Sequence, residues 1–179
     1  MTKVRGFEIV SKFKNQNIKL PERSTFQSAG YDIEAAEDII IPSHWIQVIK
    51  YVLIQLGIIN NLEEDIQTKE ILKPTLVPTG LKAYMLEDEY LQIINRSSNP
   101  IKKFLMLPNS VGIIDADYYN NPSNEGHIYV QLINYGIVDI KVNKGDRIAQ
   151  GIFSKFLKVD MDNGGNDKRI GGFGSSDKS

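Results

Sequence analysis

The stretch HIYVQLINYGIVDIKV, residues 127–142, predicts two β-strands with a short turn between them. His127–Asn134 and Ile137–Val142 are rich in β-branched and aromatic residues, which favour strands. Tyr135-Gly136 separates the two runs at a length that fits a tight hairpin. We therefore expect this part of the chain to form an antiparallel pair in a β-sheet.

Short apolar runs elsewhere in the chain predict further strands. They are Val4–Phe13, Asp38–Ile41, Leu81–Met85, Tyr90–Ile94, Phe104–Leu107, Val111–Ile114 and Arg147–Val159. Turn residues such as Pro21, Pro42 and Gly145 bound several of these runs. Many short strands without amphipathic helices between them are typical of an all-β barrel or sandwich.

One segment departs from this pattern and predicts helices. Its apolar residues recur at the spacing of one helix face, namely Trp45, Val48, Ile49, Val52, Leu53 and Leu56. Ser43 is suited to cap the start of this helix and Gly57 to end it. Asn61–Glu64 resembles the start of a second helix, with acidic groups in its first turn. We interpret residues 43–72 as a helical hairpin inserted between two strands, and the alternation of apolar residues within 46–56 leaves a strand as the alternative.

The last twenty residues have a different composition. They contain few apolar groups and five glycines, at positions 164, 165, 171, 172 and 174. Such a composition predicts a flexible arm. The chain then divides into a β domain over residues 1–159 and a C-terminal arm over residues 160–179.

The composition excludes several classes of function. The chain has 179 residues with 21 Lys+Arg and 22 Asp+Glu, a net charge of −1, whereas proteins that coat nucleic acid need many basic contacts to phosphates. The absence of cysteine excludes disulfides, a thiol nucleophile and thiolate metal sites, and two histidines argue against a His-rich zinc site. The charged N-terminus lacks a signal-peptide pattern, and no apolar run is long enough to span a bilayer. We expect a cytosolic protein without nucleic-acid or membrane partners.

Five short segments carry groups suited to nucleotide chemistry. In chain order they are Ala29-Gly30-Tyr31-Asp32, Asn95-Arg96-Ser97-Ser98-Asn99-Pro100, Val111–Tyr118, Gly145–Gln150 and Arg169–Ser176. Arg96 offers a planar fork of donors to a phosphate, with the hydroxyls of Ser97 and Ser98 beside it. Asp115 follows a buried strand, where an anchored carboxylate can hold and deprotonate a water molecule.

The same segments contain groups suited to a sugar, a phosphate and a base. Tyr118 can lay its ring against a sugar and leave no room for a 2′-hydroxyl. Gln150 can bond a phosphate oxygen or a metal-bound water, whereas Asp146 and Arg147 are interpreted as turn residues that pair with each other or cap backbone groups. Phe173 lies in a glycine-rich segment and can stack on a nucleobase. Each segment taken singly also fits a structural turn or tail.

Taken together and in this order, the five segments resemble the motifs of the trimeric dUTPases, the deoxyuridine triphosphate nucleotidohydrolases. The resemblance runs from about Gly6 to Ser176, apart from the inserted segment 43–72. It implies a β-barrel-like jelly-roll subunit and a homotrimer with three active sites at subunit interfaces. It also implies hydrolysis of dUTP to dUMP and pyrophosphate with Mg²⁺ as the cofactor.

The resemblance implies a role for residues of each motif. Asp115 would deprotonate the attacking water, and Tyr118 would exclude ribose. Asn109, helped by backbone groups near Gly112, would read the edge of the uracil. Asp32 would lie near the water shell of the metal ion. The groups implied to hold phosphates or to close over the base are Arg96, Ser97, Ser98, Gln150, Arg169, Phe173, Gly174 and Ser175.

The chain departs from the family pattern in three places. Lys168 stands where many relatives have the arginine of the arm motif, and Arg169 is one residue nearer to Phe173. Residues 119–126 form a longer loop than the usual turn after the tyrosine. Asn95 stands where a glycine often precedes the arginine of the second motif.

Two other functions compete with this interpretation. A dCTP deaminase of the same fold would need a glutamate where Gln131 stands, and an amide cannot act as a general base. A non-catalytic nucleotide sensor would use the inserted segment 43–72 to dock a protein partner, although this segment can equally pack on its own barrel or on a trimer neighbour. Turnover of dUTP separates these possibilities.

Overall fold

The computed structural model describes residues 3–59, 68–162 and 172. Within these ranges the chain consists mainly of short strands, which confirms the predicted all-β class. The strands are β1 Gly6–Ile9, β2 Tyr31–Glu34, β3 Ile39–Ile41, β4 Thr75–Pro78, β5 Leu81–Tyr84, β6 Glu89–Ile94, β7 Leu105–Met106, β8 Val111–Asp115, β9 Tyr129–Asn134, β10 Ile140–Val142 and β11 Arg147–Lys155. Helix α1 spans His44–Gln55, and shorter 3₁₀ or π-helical turns cover Ser11–Phe13, Thr68–Leu72, Asn99–Lys103 and Ala116–Tyr118.

The strands pair in an antiparallel manner in four sheets. The largest sheet has the order β2-β11-β6-β8, and a three-stranded sheet has the order β4-β9-β7. The pairs β1-β5 and β10-β3 complete the set within the described residues. Closure of these sheets into a barrel, which the family resemblance implies, stays a prediction.

One apolar core joins the four sheets. It contains fully buried side chains from each of them, among which are Ile33, Leu81, Leu91, Leu132 and Val142. Burial alternates along β6 and β9, so each strand turns one face to the core, as expected for a half-buried antiparallel strand. Each such side chain contributes about 1.5–3 kcal/mol to folding, and the core therefore holds the loops that follow these strands in place.

The predicted hairpin across Tyr135-Gly136 is wrong. Strand β9 pairs with β4 and β7, whereas β10 pairs with β3 in another sheet. The buried Asn134 side chain binds the turn backbone, donating to the Val138 carbonyl at 2.7 Å and accepting from Gly136 N–H at 2.9 Å. Because these bonds bend the chain away from its own strand, β10 pairs elsewhere.

Most other predicted strands are confirmed with different bounds; β6 and β8 are each one residue longer than predicted, and the others are shorter. The prediction of one strand over Val4–Phe13 is wrong in its second half, because β1 ends at Ile9 and a 3₁₀ turn then buries Phe13. Strand β11 ends at Lys155 rather than at Val159. Strands β2 and β4 were not predicted, since charged residues flank the one aliphatic residue of β2 and β4 ends in a proline.

The predicted first helix of the insertion is confirmed as α1, between β3 and β4. The Ser43 hydroxyl accepts a hydrogen bond from Ile46 N–H at 3.4 Å, and Gly57 follows the helix end with φ +68°. No residue of α1 is buried, so its apolar side chains lie at the surface of the single chain. The predicted second helix start at Asn61–Glu64 lies outside the described residues. A protein partner for this insertion stays a prediction, and none of the described helices is long and apolar enough to cross a membrane.

Candidate active site

The four-stranded sheet, whose edge strand β8 belongs to the third motif, places residues of the first, second and fourth motifs side by side. In the middle of the sheet, Gln150 of β11 pairs with Asp32 of β2 on one side and with Ile94 of β6 on the other. Arg96 follows two residues after Ile94. A side chain at Gly30 would place its Cβ 3.0 Å from Gln150 Oε1, so the glycine leaves room for the amide. The strand pairing thus explains why residues of the first, second and fourth motifs lie close together.

Asp32 is the centre of this cluster and is only 7% exposed. Its carboxylate accepts hydrogen bonds from Ser24 Oγ at 2.7 Å and Arg96 Nε at 2.9 Å, and Arg147 Nη1 lies 3.1 Å away. Burial alone would raise the pKa of Asp32, but the Ser24 hydroxyl and the two guanidinium groups outweigh it and lower the pKa below its ordinary value. Asp32 is therefore an ionised carboxylate that orients two arginines.

The loop of the second motif is held by amide side chains. The buried Asn99 donates through Nδ2 to Asn95 Oδ1 at 2.9 Å and to the Ile148 carbonyl at 2.7 Å. Asn95 donates in turn to the Leu105 carbonyl at 3.2 Å. This places Arg96 at the start of the loop with Nη1 3.5 Å from Ser98 Oγ, while Ser97 is exposed. The asparagine at position 95 therefore braces the loop.

A second part of the site is a cavity of about 170 Å³ beside β8 and β9. Its walls include Asn109, Gly112, Tyr118, Tyr129 and Gln131. The Cβ of a side chain at Gly112 would lie 3.3 Å from the Ile93 Cβ and at an ordinary contact distance of 3.5 Å from Asn109 Nδ2. The volume is below the ~300–1,000 Å³ typical of drug-sized ligand sites and suits a single ring rather than a whole nucleotide.

Tyr118 forms the wall of this cavity at the end of the third motif. It is 5% exposed, its hydroxyl donates to the His127 carbonyl at 3.1 Å, and Asn124 Nδ2 donates to that hydroxyl at 2.7 Å. Gly172 of the arm lies against the ring, because a Cβ there would come within 2.8 Å of Tyr118 Cε2. Gly172 therefore lies at the cavity of its own chain.

Asp115 is half-buried at the end of β8, directly before the turn that carries Tyr118. It pairs with Tyr90, at the opposite end of β6 from Ile94. Ile94 pairs with both Gln150 and Val111, and Asp115 is four residues beyond Val111 along β8. At ~3.4 Å per residue, the Asp115 end of the strand lies roughly 14 Å along the sheet from the Asp32 cluster. Within one chain, the Asp115 end of β8 thus lies apart from the arginine cluster.

Comparisons with known proteins identify the family. The family model described as dUTPase matches residues 61–177. The deoxyuridine 5'-triphosphate nucleotidohydrolase of Lactococcus lactis is 46% identical over 175 residues, which cover 97% of this chain and 98% of that protein. The chain belongs to the dUTPase family.

Solved structures of dUTPases have the same fold. The crystal structure of the dUTPase from Streptococcus mutans has 40% sequence identity and a TM-score of 0.68, and the match covers 87% of this chain and 98% of that chain. A dUTPase of phage phi11 of S. aureus, whose structure is described as revealing the coordination of a structural Mg(II) ion, has 16% identity and a TM-score of 0.60. At that identity the phage protein shows the fold alone.

Two residues that contact the dUTPase motifs of this chain, Arg147 and Asn124, were not predicted from the sequence to do so. Asp146 and Arg147 were interpreted as turn residues that pair with each other or cap backbone groups. Asp146 does cap the turn backbone, accepting from Asn143 N–H at 3.1 Å, whereas Arg147 pairs with Asp32. Asn124, in the loop that departs from the family pattern, binds the Tyr118 hydroxyl. Arg147 contacts Asp32 because their strands lie side by side, and Asn124 contacts Tyr118 because of the conformation of a turn. The spacing of residues along the chain therefore predicts neither contact. The arm residues Arg169, Phe173, Gly174 and Ser175, with Lys168, lie outside the described residues.

Behind the cavity, His127 is a buried and neutral residue of this dUTPase. Its ring lies between Phe13 and Tyr129, with ring centroids at 5.3 Å and 4.1 Å, and Nε2 accepts the Gly80 N–H at 3.0 Å. Burial, with a smaller effect of Lys12, lowers the pKa of His127 from 6.5 to about 4. A protonated ring cannot accept the Gly80 bond, so protonation opposes the folded state.

We expect the free energy of unfolding to decrease by about 3 kcal/mol through this group as the pH falls from about 6.5 to about 4. The unfolded chain binds a proton on His127 over this interval and the folded chain does not, so the stabilisation is complete above pH 6.5. Urea unfolding at a series of pH values measures it. His127→Gln keeps an acceptor for Gly80 but does not titrate, so its stability should fall less over the same interval. Parallel pH profiles for the two proteins would contradict the assignment.

Proposed function

We propose that this protein hydrolyses dUTP to dUMP and pyrophosphate, which limits uracil incorporation into DNA and supplies dUMP. Membership of the dUTPase family supports the activity. The main structural support for this activity is the cavity beside Asn109 and Tyr118, which has room for a single ring. It lies beside β8, the strand that ends in Asp115. Base, sugar and attacking water can therefore meet along one short stretch of chain.

The base and the sugar are recognised by the cavity walls. The Asn109 amide and the backbone near Gly112 offer donors and acceptors to the uracil edge. The Tyr118 ring, held through its hydroxyl, faces the deoxyribose and leaves no space for a 2′-hydroxyl. We expect the walls of this cavity to reject the 5-methyl group of thymine.

The phosphates are held by the arginine cluster and the arm. Asp32 binds Nε of Arg96 and Ser98 Oγ binds its Nη1, which holds the guanidinium beside Ser97 and Gln150 of the adjacent loop and strand. From the arm, Arg169 and Ser175 contact the γ-phosphate, and Phe173 with Gly174 covers the base. Fixed donors aimed at the phosphates stabilise developing charge without reorganisation.

Mg²⁺ fits the phosphate end of this site through water rather than through direct protein ligands. Within the described residues, no group of three or more His, Cys, Asp or Glu side chains could hold a metal ion. Mg²⁺ commonly keeps several waters and takes substrate phosphates as ligands, and the paired Asp32 and Gln150 offer oxygens to such waters. When bound, the ion neutralises phosphate charge. Asp115 orients the attacking water and takes its proton, as a positioned general base.

We expect a homotrimer in which each site combines residues of neighbouring chains. The separation of roughly 14 Å between the Asp115 end of β8 and the Asp32 cluster supports this, since the two cannot act on one α-phosphate within a chain. Light scattering should give three times the chain mass of 20.2 kDa. A fully active monomer would contradict the proposal.

The purified protein with Mg²⁺ should hydrolyse dUTP selectively over dTTP, dCTP and UTP. The reason is the combination of a single-ring cavity with the Tyr118 wall. Pyrophosphate release, followed for each nucleotide at matched concentrations, measures the selectivity. Comparable turnover of dTTP or UTP would overturn the proposal, and conversion of dCTP to dUTP with ammonia release would instead indicate the deaminase, against which the amide of Gln131 argues.

A further inference from the structure

The hydroxyl of Tyr118 is held from two sides. It donates to the His127 carbonyl at 3.1 Å, and it accepts from Asn124 Nδ2 at 2.7 Å. A tyrosine ring pivots at its Cβ, so a hydroxyl fixed at the far end sets the direction of the whole ring. Removing one of the two bonds frees the ring to tilt within the cavity.

The amide of Asn124 can present only its nitrogen to Tyr118. Its oxygen Oδ1 already accepts from Asn121 Nδ2 at 2.7 Å and from Gly126 N–H at 3.0 Å. Because both of these partners are donors, the amide orientation follows from the network. Asn124 is therefore a fixed donor aimed at the Tyr118 hydroxyl.

Asn121 ties the same loop to the backbone of Tyr118. Its Nδ2 donates to the Tyr118 carbonyl at 2.9 Å, and its Oδ1 accepts from the backbone N–H groups of Ser123 and Asn124 at 3.1 Å and 3.2 Å. Gly126 closes the loop with φ +80°, where a Cβ would come within 2.5 Å of the Tyr118 carbonyl. The loop thus folds back onto Tyr118 and contacts little of the cavity itself.

The other end of the loop is fastened to the body of the protein. The buried Lys82 donates through Nζ to Asn120 Oδ1 at 2.6 Å and lies 3.3 Å from Glu125 Oε1. Glu125 accepts from Ser11 N–H at 2.8 Å and from Ser11 Oγ at 2.9 Å. Because the loop is fixed to the rest of the protein, it can hold the Tyr118 side chain in place. A mobile loop would move together with that side chain.

We propose that Asn124 is a positioning residue for sugar selection, which holds the Tyr118 ring against the deoxyribose and so makes the site reject ribonucleotides. This inference rests on the proposed function of Tyr118 in dUTP hydrolysis. It gives a role to residues 119–126, the loop that is longer than the usual turn after the tyrosine.

The test compares kcat/KM for dUTP and for UTP in Asn124→Ala. The ratio of the two values should fall by about fivefold to tenfold, the usual effect of one hydrogen bond. A partly unfolded variant loses kcat/KM for both nucleotides equally, so a purely structural effect leaves the ratio unchanged. Asn124→Asp is the second variant: it keeps the Oδ1 acceptor for Asn121 and Gly126, but its Oδ2 can only accept from Tyr118. Because the hydroxyl has a single proton, it then keeps one of its two hydrogen bonds. The ratio for this variant should fall in the same direction.

One control distinguishes the effect of Asn124 from a general effect of its loop, and a second tests whether Asn124 acts through the Tyr118 hydroxyl. Ser123→Ala removes a hydroxyl that binds Asn121 at 2.9 Å, and it should change the ratio by less than about twofold. In a Tyr118→Phe background, adding Asn124→Ala should have no further effect on the ratio, because the hydroxyl through which Asn124 acts is gone.

The outcomes distinguish this inference from the proposed function. Wild-type protein that fails to hydrolyse dUTP, or that accepts UTP equally, overturns the proposed function and the inference with it. Wild-type protein that discriminates, while Asn124→Ala or a folded Asn124→Asp keeps the full ratio, overturns the inference alone. Equal losses in Ser123→Ala and Asn124→Ala, or additive losses in the Tyr118→Phe background, also overturn it.

Discussion

Asp115→Asn should lower the turnover of dUTP by about 10²–10⁴-fold while changing nucleotide affinity by less than about tenfold. The amide has the shape of the carboxylate but cannot take a proton from water. Asp115 is half-buried at the end of β8, so its position does not depend on the nucleotide. Single-turnover kinetics and equilibrium binding of a non-hydrolysable dUTP analogue measure the two effects separately.

Asp117→Asn is the matched control for this variant. It removes the same charge two residues along the chain, from an exposed position in the following 3₁₀ turn. An exposed carboxylate interacts weakly with the reacting groups because water screens it. Its loss of turnover should therefore be far smaller. Near-normal turnover in Asp115→Asn, or equal losses in both variants, would remove Asp115 from its proposed role as the general base.

Deleting residues 167–179 should nearly abolish catalysis but change the melting temperature by no more than about 2 °C. The deleted segment has little apolar surface to contribute to a core, and Phe173 is its main apolar group besides Ile170. Its proposed contacts to the base and the γ-phosphate matter most in the reacting complex, so kcat should fall more than affinity. Calorimetry and dUTP turnover measure the two quantities.

Deletion of residues 177–179 alone provides the control, since these residues follow the arm motif and should be dispensable. The comparison of Arg169→Ala with Lys168→Ala then decides which basic side chain contacts the γ-phosphate, and we expect Arg169 to give the larger loss. Turnover close to the full-length rate after removal of 167–179 would show that the arm takes no part in catalysis.

Local patterns in the sequence predicted the elements of this fold better than their pairing. The helical spacing from Trp45 to Leu56 predicted α1 with its cap at Ser43, because backbone geometry and a capping hydroxyl act within a few residues. The hairpin predicted after Asn134 was wrong because the Asn134 side chain and contacts from far along the chain together hold this turn. The Ser43 hydroxyl and N–H, for example, bind Gly136 and Asp139 from 93 and 96 residues away.

The same distinction applies to the candidate site. Asn109 and Tyr118 lie close together in the chain and both line the cavity, with Asp115 between them in sequence, and the roles of the three residues stay predictions. The pairing of Arg147 with Asp32 depends on the register of β11 against β2, which includes an irregularity between Arg147 and Ala149. No spacing along the chain encodes such a register, so the second arginine of the cluster could not be predicted.

Helix α1 makes the insertion suitable as an attachment point for probes. Its side chains contribute nothing to the core, while the fully buried Ser43 fixes its base through bonds to Gly136 and Asp139. Because the chain has no native cysteine, a single thiol introduced on α1 would carry a fluorophore at one defined position. Rotational diffusion of the assembled enzyme could then be followed by polarised emission while the nucleotide cavity keeps its native residues.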